Sequence, residues 1–212
     1  MFAVDRAISI LAILMIFTAG YINEEKNLER ATYVYCLQTL TLAMIFFALS
    51  TIEWYFVIWG CAAILTKAII IPYFILKTIR HTGVSIEEEP YLPTWVSYLS
   101  LGFLIAIGFT IGYNIITTWE HIPLSVSISL FLIGLHLMIT RKNALKQILG
   151  ICHFENGSHL TLAVMARGIP ETVEIGILTD AVILVIICCL LVKDMKKVVG
   201  TLDTSKLSLL KY

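Results

Sequence analysis

Seven long apolar runs divide the chain, at residues 7–22, 32–50, 54–76, 95–118, 123–140, 147–167 and 171–192. Each is close to the ~17 to 25 residues needed to cross the hydrocarbon core of a bilayer as a helix. The first and fifth are at the short end of that range. Residues 51–53 and 119–122 leave room only for tight turns, so the runs they join are antiparallel neighbours. The pattern predicts an all-α integral membrane protein with about seven transmembrane helices.

The longest internal break is "HTGVSIEEEPYLPT", residues 81–94, with Gly83, Pro90, Pro93 and three consecutive glutamates. It divides an N-terminal three-helix half, 1–80, from a two-helix hairpin at 95–140. A further group of helices follows at 141–192, and then a tail at 193–212. Basic residues set the direction, because loops rich in Lys and Arg stay in the cytoplasm. With the N-terminus outside, twelve of the 15 basic residues face inward: Lys26, Arg30, Lys77, Arg80, Arg141, Lys142, Lys146, Lys193, Lys196, Lys197, Lys206 and Lys211. Only Arg6 and Arg167 then remain outside, and Lys67 lies within a span. The expected topology is N-terminus out, C-terminus cytoplasmic, with 81–94 a cytoplasmic loop. "AISILAILMIFTAG" after Arg6 also has the look of a signal peptide. Asp5 offsets the charge of Arg6, however, and many apolar runs follow, so a retained first span is expected.

Composition agrees with a membrane solvent. Hydrophobic residues make up 58% of the chain, charged residues only 14%, and mean hydropathy is +0.88. Soluble domains carry about 25% charge. A net charge of zero gives no reason to expect nucleic acid as a partner. The five cysteines all fall in apolar runs without metal-site spacing and read as small hydrophobes.

Against this background the ionisable residues within the runs stand out. A charge at the bilayer centre costs at least ~2.5 to 3.5 kcal/mol on insertion scales. At ~1.5 Å per helical residue, Lys67, Glu155 and Asp180 lie at similar depths, ~14 to 20 Å in from Lys77, Lys146 and Lys193. Glu174 lies nearer the outside. "HFENGSHL", residues 153–160, surrounds Glu155 with His153, Asn156 and His159. Glu155 and His159 are four apart and share a helix face, together with Cys152 and Asn156. Pro72, five residues after Lys67, removes a backbone donor and should kink its helix near 68–71. This set reads as a proton relay through Glu155, Lys67, Asp180, Glu174, His159 and His153. The plainer alternative is a structural salt bridge that holds helices together. His153, Glu155 and His159 do not converge on one helix face, so no metal site is expected, and no cofactor motif is present.

Two weak internal matches suggest a parallel duplication. "LTKAIIIPYFILKTI" (65–79) is similar to "LTDAVILVIICCLLVKDM" (178–195), which pairs Lys67 with Asp180, and LTLA occurs at 40–43 and again at 160–163.

"RKNALKQILGICHFENGSHLTLAV", "IPETVEIGILTDAVILVIICCLLVKDM" and the closing "GTLDTSKLSLLKY" resemble the hydrogenase-4 component E family over nearly the whole chain. These are membrane subunits of group 4 NiFe hydrogenase and formate hydrogenlyase complexes. The last three helices are similar to the K-type subunit of respiratory complex I and the C-type subunit of multisubunit cation/proton antiporters. Arg141, Asn143, Leu149 and Gly150 fit the K-type pattern. Its first glutamate would fall at Cys152, and here the carboxylate is Glu155, about one turn on. Its second falls at Thr172, flanked by Glu171 and Glu174. The resemblance implies a non-catalytic subunit of a hydrogenase-type complex in the cytoplasmic (inner) membrane. Its implied partners are antiporter-like subunits and the membrane anchor of the redox module. A sodium/proton antiporter subunit and a purely structural scaffold are the rival readings.

Overall fold

The computed structural model describes residues 2–116, 118, 120–165 and 171–209. Among the described residues the chain is helical throughout, with no strand. The long helices are α1 (Phe2–Glu24), α2 (Leu28–Leu49), α3 (Phe56–Thr82), α4 (Thr94–Ile115), α5 (His121–Thr140), α6 (Ala144–Met165) and α7 (Glu171–Val199). A short 3-10 helix, Thr204–Leu209, follows. Helices α1 to α5 are long and apolar enough to cross a membrane. Helix α6 has 22 residues, ~33 Å, but is lowered in hydropathy by Lys146, His153, Glu155, Asn156 and His159. Its polar face is turned inward, with all of these buried except the partly covered Glu155.

The helices run past the apolar runs. Helix α7 continues to Val199, beyond the expected end at 192, because Lys193, Lys196 and Lys197 are good helix formers and need no apolar partner. Helix α3 continues to Thr82 as an amphipathic stretch, with Ile75, Thr78, Ile79 and Thr82 buried and Lys77, Arg80 and His81 exposed.

One three-helix pattern is built twice. Asn27 caps α2 by accepting from Arg30 N–H at 3.0 Å. Asn143 caps α6 by accepting from Leu145 N–H at 3.0 Å and Lys146 N–H at 3.3 Å. Helix α3 ends on Gly83 (φ +68°) and α7 on Gly200 (φ +79°), left-handed conformations that glycine adopts without strain. The strand-like segment after each glycine then returns to its asparagine. Leu28 N–H donates to Ser85 and Glu87 N–H to Lys26, just as Ala144 N–H donates to Leu202 and Thr204 N–H to Lys142. Helices α1, α2 and α3 therefore correspond to α5, α6 and α7, and each packs against its counterpart. Register counted from these turns differs from the weak sequence matches. Lys67 lies sixteen residues before Gly83 and Asp180 twenty before Gly200, about one turn apart. Apolar helices match at almost any register; the polar turns fix the right one.

Helices α5 and α6 form the closest pair. A Cβ on Gly134 would lie 2.5 Å from the Phe154 nitrogen, and one on Gly157 would lie 2.7 Å from the Ser127 carbonyl. Small residues at a crossing let two backbones meet, which is how helices associate where lipid supplies no hydrophobic drive. Helix α4 lies on the outside of α5.

Candidate functional site

The centre of the bundle, where α2, α3 and α6 meet, is polar. Lys67 is fully buried there. It sits in the middle of a π-helical stretch of α3, Ile64–Ile70, in which Ile71 N–H reaches back five residues to the Thr66 carbonyl. Pro72 follows at the start of the regular helix. Proline lacks an N–H and its ring crowds the carbonyl four residues back. The wider π turn is the form that this disturbance takes here, and such single turns recur at functional sites.

Two hydrogen-bond partners and one counter-charge surround the Lys67 ammonium. Asn156 Oδ1 lies at 3.2 Å, His159 Nδ1 at 2.8 Å and Glu155 Oε2 at 3.9 Å. All three come from one face of α6. The arrangement continues through two amides whose orientation is forced. Gln38 Nε2 donates to the Met15 carbonyl of α1 at 3.0 Å, so its oxygen must face α6. That oxygen accepts from His153 Nδ1 at 2.8 Å and from Asn156 Nδ2 at 3.1 Å. Asn156 Nδ2 also reaches Thr39 Oγ1 at 3.4 Å, which turns its own oxygen to Lys67. A single backbone carbonyl thus fixes the sense of a hydrogen-bonded chain across α1, α2, α6 and α3. It also assigns tautomers. His153 carries its proton on Nδ1, and His159 Nδ1 accepts while Lys67 is an ammonium. Moving one proton across the 2.8 Å Lys67–His159 contact exchanges those roles.

The expected residues are thus placed as follows. Lys67, Glu155 and His159 are brought together. His153 joins them through Gln38 rather than directly. Asp180 is exposed on α7, close enough to Glu155 for their charges to interact. The side chain of Glu174 lies outside the described part of the structure. Gln38 and Thr39 had no role in the sequence reading, because neutral polar groups in an apolar run carry no charge signal. Asn156 was visible only as a neighbour of Glu155 on the helix. Among the described residues, no three His, Cys, Asp or Glu side chains gather closely enough to hold a metal ion.

A second buried cluster lies at the basic end of the bundle. Arg141 bonds Glu24 at 2.6 Å and pairs with Glu87 at 3.5 Å, and Lys146 also lies 3.5 Å from Glu87. Lys146 donates to the Glu25 carbonyl as well. Ser97 Oγ donates to Glu24 at 2.5 Å and accepts from Asn23 at 2.9 Å. Burial raises the Glu87 carboxyl above the usual carboxylate range, opposed by Lys146 and Arg141.

Comparison with known proteins gives this architecture its class. The family described as NADH-ubiquinone/plastoquinone oxidoreductase chain 4L matches residues 122–212, which span α5 to the end of the chain. With the membrane-length helices, that match marks a multi-pass membrane protein whose last three helices are similar to that family. Hydrogenase-4 component E of Escherichia coli K12 is 34% identical over 206 residues, 95% of each chain, and the Shigella flexneri protein of that name matches equally. The chain belongs to the hydrogenase-4 component E family. An uncharacterized protein of Mycobacterium tuberculosis is 24% identical over 152 residues, 70% of this chain and 69% of its own. No solved structure matches.

Proposed function

We propose that this chain is a non-catalytic membrane-arm subunit of a hydrogenase-type complex of the formate hydrogenlyase kind. It relays protons in the membrane plane between the membrane anchor of the redox module and antiporter-like subunits. The observation that carries this reading is the Lys67 contact with His159 at 2.8 Å, beside Glu155 and in a fully buried position. An amine and an imidazole in contact can exchange a proton, with a carboxyl 3.9 Å from the amine, and intramembrane ionisable residues are functional by default. The path runs laterally from Lys67 and His159 through Glu155 to Asp180, with His153 and Glu174 as its further proposed members. The electron chemistry belongs to other subunits, and this chain holds no cofactor.

In the same reading the chain crosses the inner membrane seven times, with the basic end of the bundle in the cytoplasm. Reporter fusions at both termini test that orientation; an external C-terminus contradicts it. A second reading has a specific observation in its favour. The Lys67–Glu155 pair is enclosed by three helices, as a purely structural lock would be. The subunit's role is tested by its removal. Hydrogen chemistry with artificial electron carriers should persist while proton translocation fails. A complex that still translocates protons without this chain overturns the reading.

A further inference from the structure

The two three-helix units are not packed as a symmetric pair. Counted from Asn27 and Asn143, residues Ala31, Tyr35, Gln38 and Thr39 of α2 correspond to Gln147, Ile151, Phe154 and Glu155 of α6. The first four are fully buried, and all four counterparts are partly exposed. On the opposite face the pattern is reversed. Tyr33, Leu37, Leu40, Met44 and Phe47 are exposed on α2, while their counterparts Leu149, His153, Asn156, Leu160 and Ala163 are buried on α6. Helices α1 and α5 differ in the same way: Ile10, Phe17 and Tyr21 are exposed, Val126, Ile133 and Leu137 buried. The units therefore meet head to tail, one face of the first against the opposite face of the second. A two-fold pair would bury the same face of both. A head-to-tail contact leaves the second unit's copy of the covered face open.

In the first unit, Leu28, Ala31, Tyr35, Ile71 and Ile75 of α2 and α3 form one buried cluster with Leu145, Leu149 and Cys152 of α6 and Val185 and Cys189 of α7. Their counterparts in the second unit, Ala144, Gln147, Ile151, Cys188 and Val192, line an apolar cavity of about 430 Å³ between α6 and α7. Further along the covered face, Gln38 accepts from His153 and Asn156 of α6, and Thr39 accepts from Asn156. The same level of the open face holds Phe154 and Glu155, with Asp180 exposed on α7 near Glu155. Lys67 brings one positive charge to these two carboxylates, so the open face is acidic. Charges within the membrane pair with one another, so the occupant has to bring a cation. A second copy of this chain does not. The face it could offer is that of α2, with Leu40 where α6 has Asn156, and Tyr33 and Phe47 where α6 has Leu149 and Ala163.

We infer that the α6–α7 face docks a transmembrane helix of a different subunit, seated as α6 is seated on α2 and α3, with a Lys or Arg side chain at the level of Glu155. This rests on the membrane-arm reading for the complex in which the partner is sought, and not on the relay.

The test is photo-crosslinking within the whole complex in its membrane. A benzoyl-phenylalanine probe is placed at Ile151 or at Leu191 on the open face and, as a control, at Leu37 on the free face of α2. Mass spectrometry identifies the attached peptides. The Ile151 and Leu191 probes should both attach to one membrane helix of another subunit, with a Lys or Arg inside its apolar run, and the Leu37 probe should not attach to that helix. Attachment to phospholipid alone, to a second copy of this chain, or to a helix without a cation overturns the docking face. Ile151→Trp, which fills the cavity, should leave the unfolding midpoint of the purified subunit unchanged and lower the partner's content in the purified complex about tenfold. Native partner content in a folded Ile151→Trp complex also overturns it. If Ile151→Trp does not accumulate, the Leu191 cross-links decide by the same outcomes. Normal proton translocation in Glu155→Gln removes the relay and leaves these cross-links standing. Cross-links to a cation-bearing helix of a complex without hydrogenase subunits keep the docking face and remove the membrane-arm reading.

Discussion

Lys67→Met with Glu155→Gln forms a double-mutant cycle whose outcome follows from the geometry. The pair is separated by 3.9 Å, with the lysine side chain fully buried and the glutamate 14% exposed. Two unit charges at that distance attract by about 4 kcal/mol at an effective dielectric of about 20. This agrees with the ~3 to 5 kcal/mol lost when one partner of a buried pair is removed. Lys67→Met keeps the length of the side chain but deprives Asn156 and His159 of their common partner and Glu155 of its counter-charge, so it should be the costlier single change. Glu155→Gln leaves the ammonium its other two acceptors and should cost less. Together they restore charge balance, and the double variant should be more stable than additivity requires by about 2 to 3 kcal/mol, at the upper end for residues in contact. Unfolding of the purified subunit in detergent, followed by its helical signal, reads all four corners. Lys197 and Asp194 supply a control, since they lie 3.8 Å apart but are 68% and 70% exposed; their cycle should give at most ~0.5 kcal/mol. Additivity within ~0.5 kcal/mol at Lys67 and Glu155 would show that no ion pair operates there.

Gln38→Leu should lower the unfolding midpoint, because it leaves the buried His153 Nδ1 proton without its acceptor, at ~1 to 3 kcal/mol for a buried group left unsatisfied, while the Met15 carbonyl keeps Thr18 and Asn156 keeps Thr39; a midpoint unchanged from native would refute the forced orientation of that amide. Gly134→Ala should destabilise by ~1 to 3 kcal/mol through the α5–α6 contact, whereas Gly20→Ala, where a Cβ meets nothing, should be neutral or slightly stabilising. The same unfolding assay separates the two. Glu87 carries a raised folded pKa, so the stability it contributes is complete below the unfolded carboxylate value of ~4.3. That stability is lost as pH rises through the folded value. The native midpoint should therefore fall over that interval, and Glu87→Gln should flatten the curve.

Much of the architecture is legible because membrane-length helices write themselves as long apolar runs. Helix ends are less so: beyond residues 76 and 192 charged residues interrupt the apolar pattern, although Ile79 and Met195 still pack on the core. Intramembrane charge made Lys67, Glu155 and His159 conspicuous, since each is expensive and demands a partner. Gln38 was invisible because a neutral amide costs little in a hydropathy count, although it orients the whole chain of bonds. The cluster at the basic end was hidden differently. Arg141 and Lys146 read as topological anchors, and Glu87 as one of three loop glutamates. Only tertiary structure buries that one while leaving Glu88 and Glu89 outside. The repeated three-helix pattern shows in the sequence on the right helices, α3 with α7 and α2 with α6, but about one turn out of register, through apolar matches such as LTLA. Its real signature is sparse, an asparagine before one helix and a left-handed glycine after the next.

The central claim is that Glu155 carries protons rather than only balancing Lys67. Its most direct test is the number of protons translocated per electron by the assembled complex in sealed vesicles, for native, Glu155→Gln and Glu155→Asp forms, normalised to subunit content. Glutamine keeps the shape but has no ionisable proton; aspartate keeps the acid with a shorter reach. The account predicts intact assembly for both, a ratio near that of the uncoupled complex for Glu155→Gln, and partial recovery for Glu155→Asp. A native ratio in the assembled Glu155→Gln complex would contradict it.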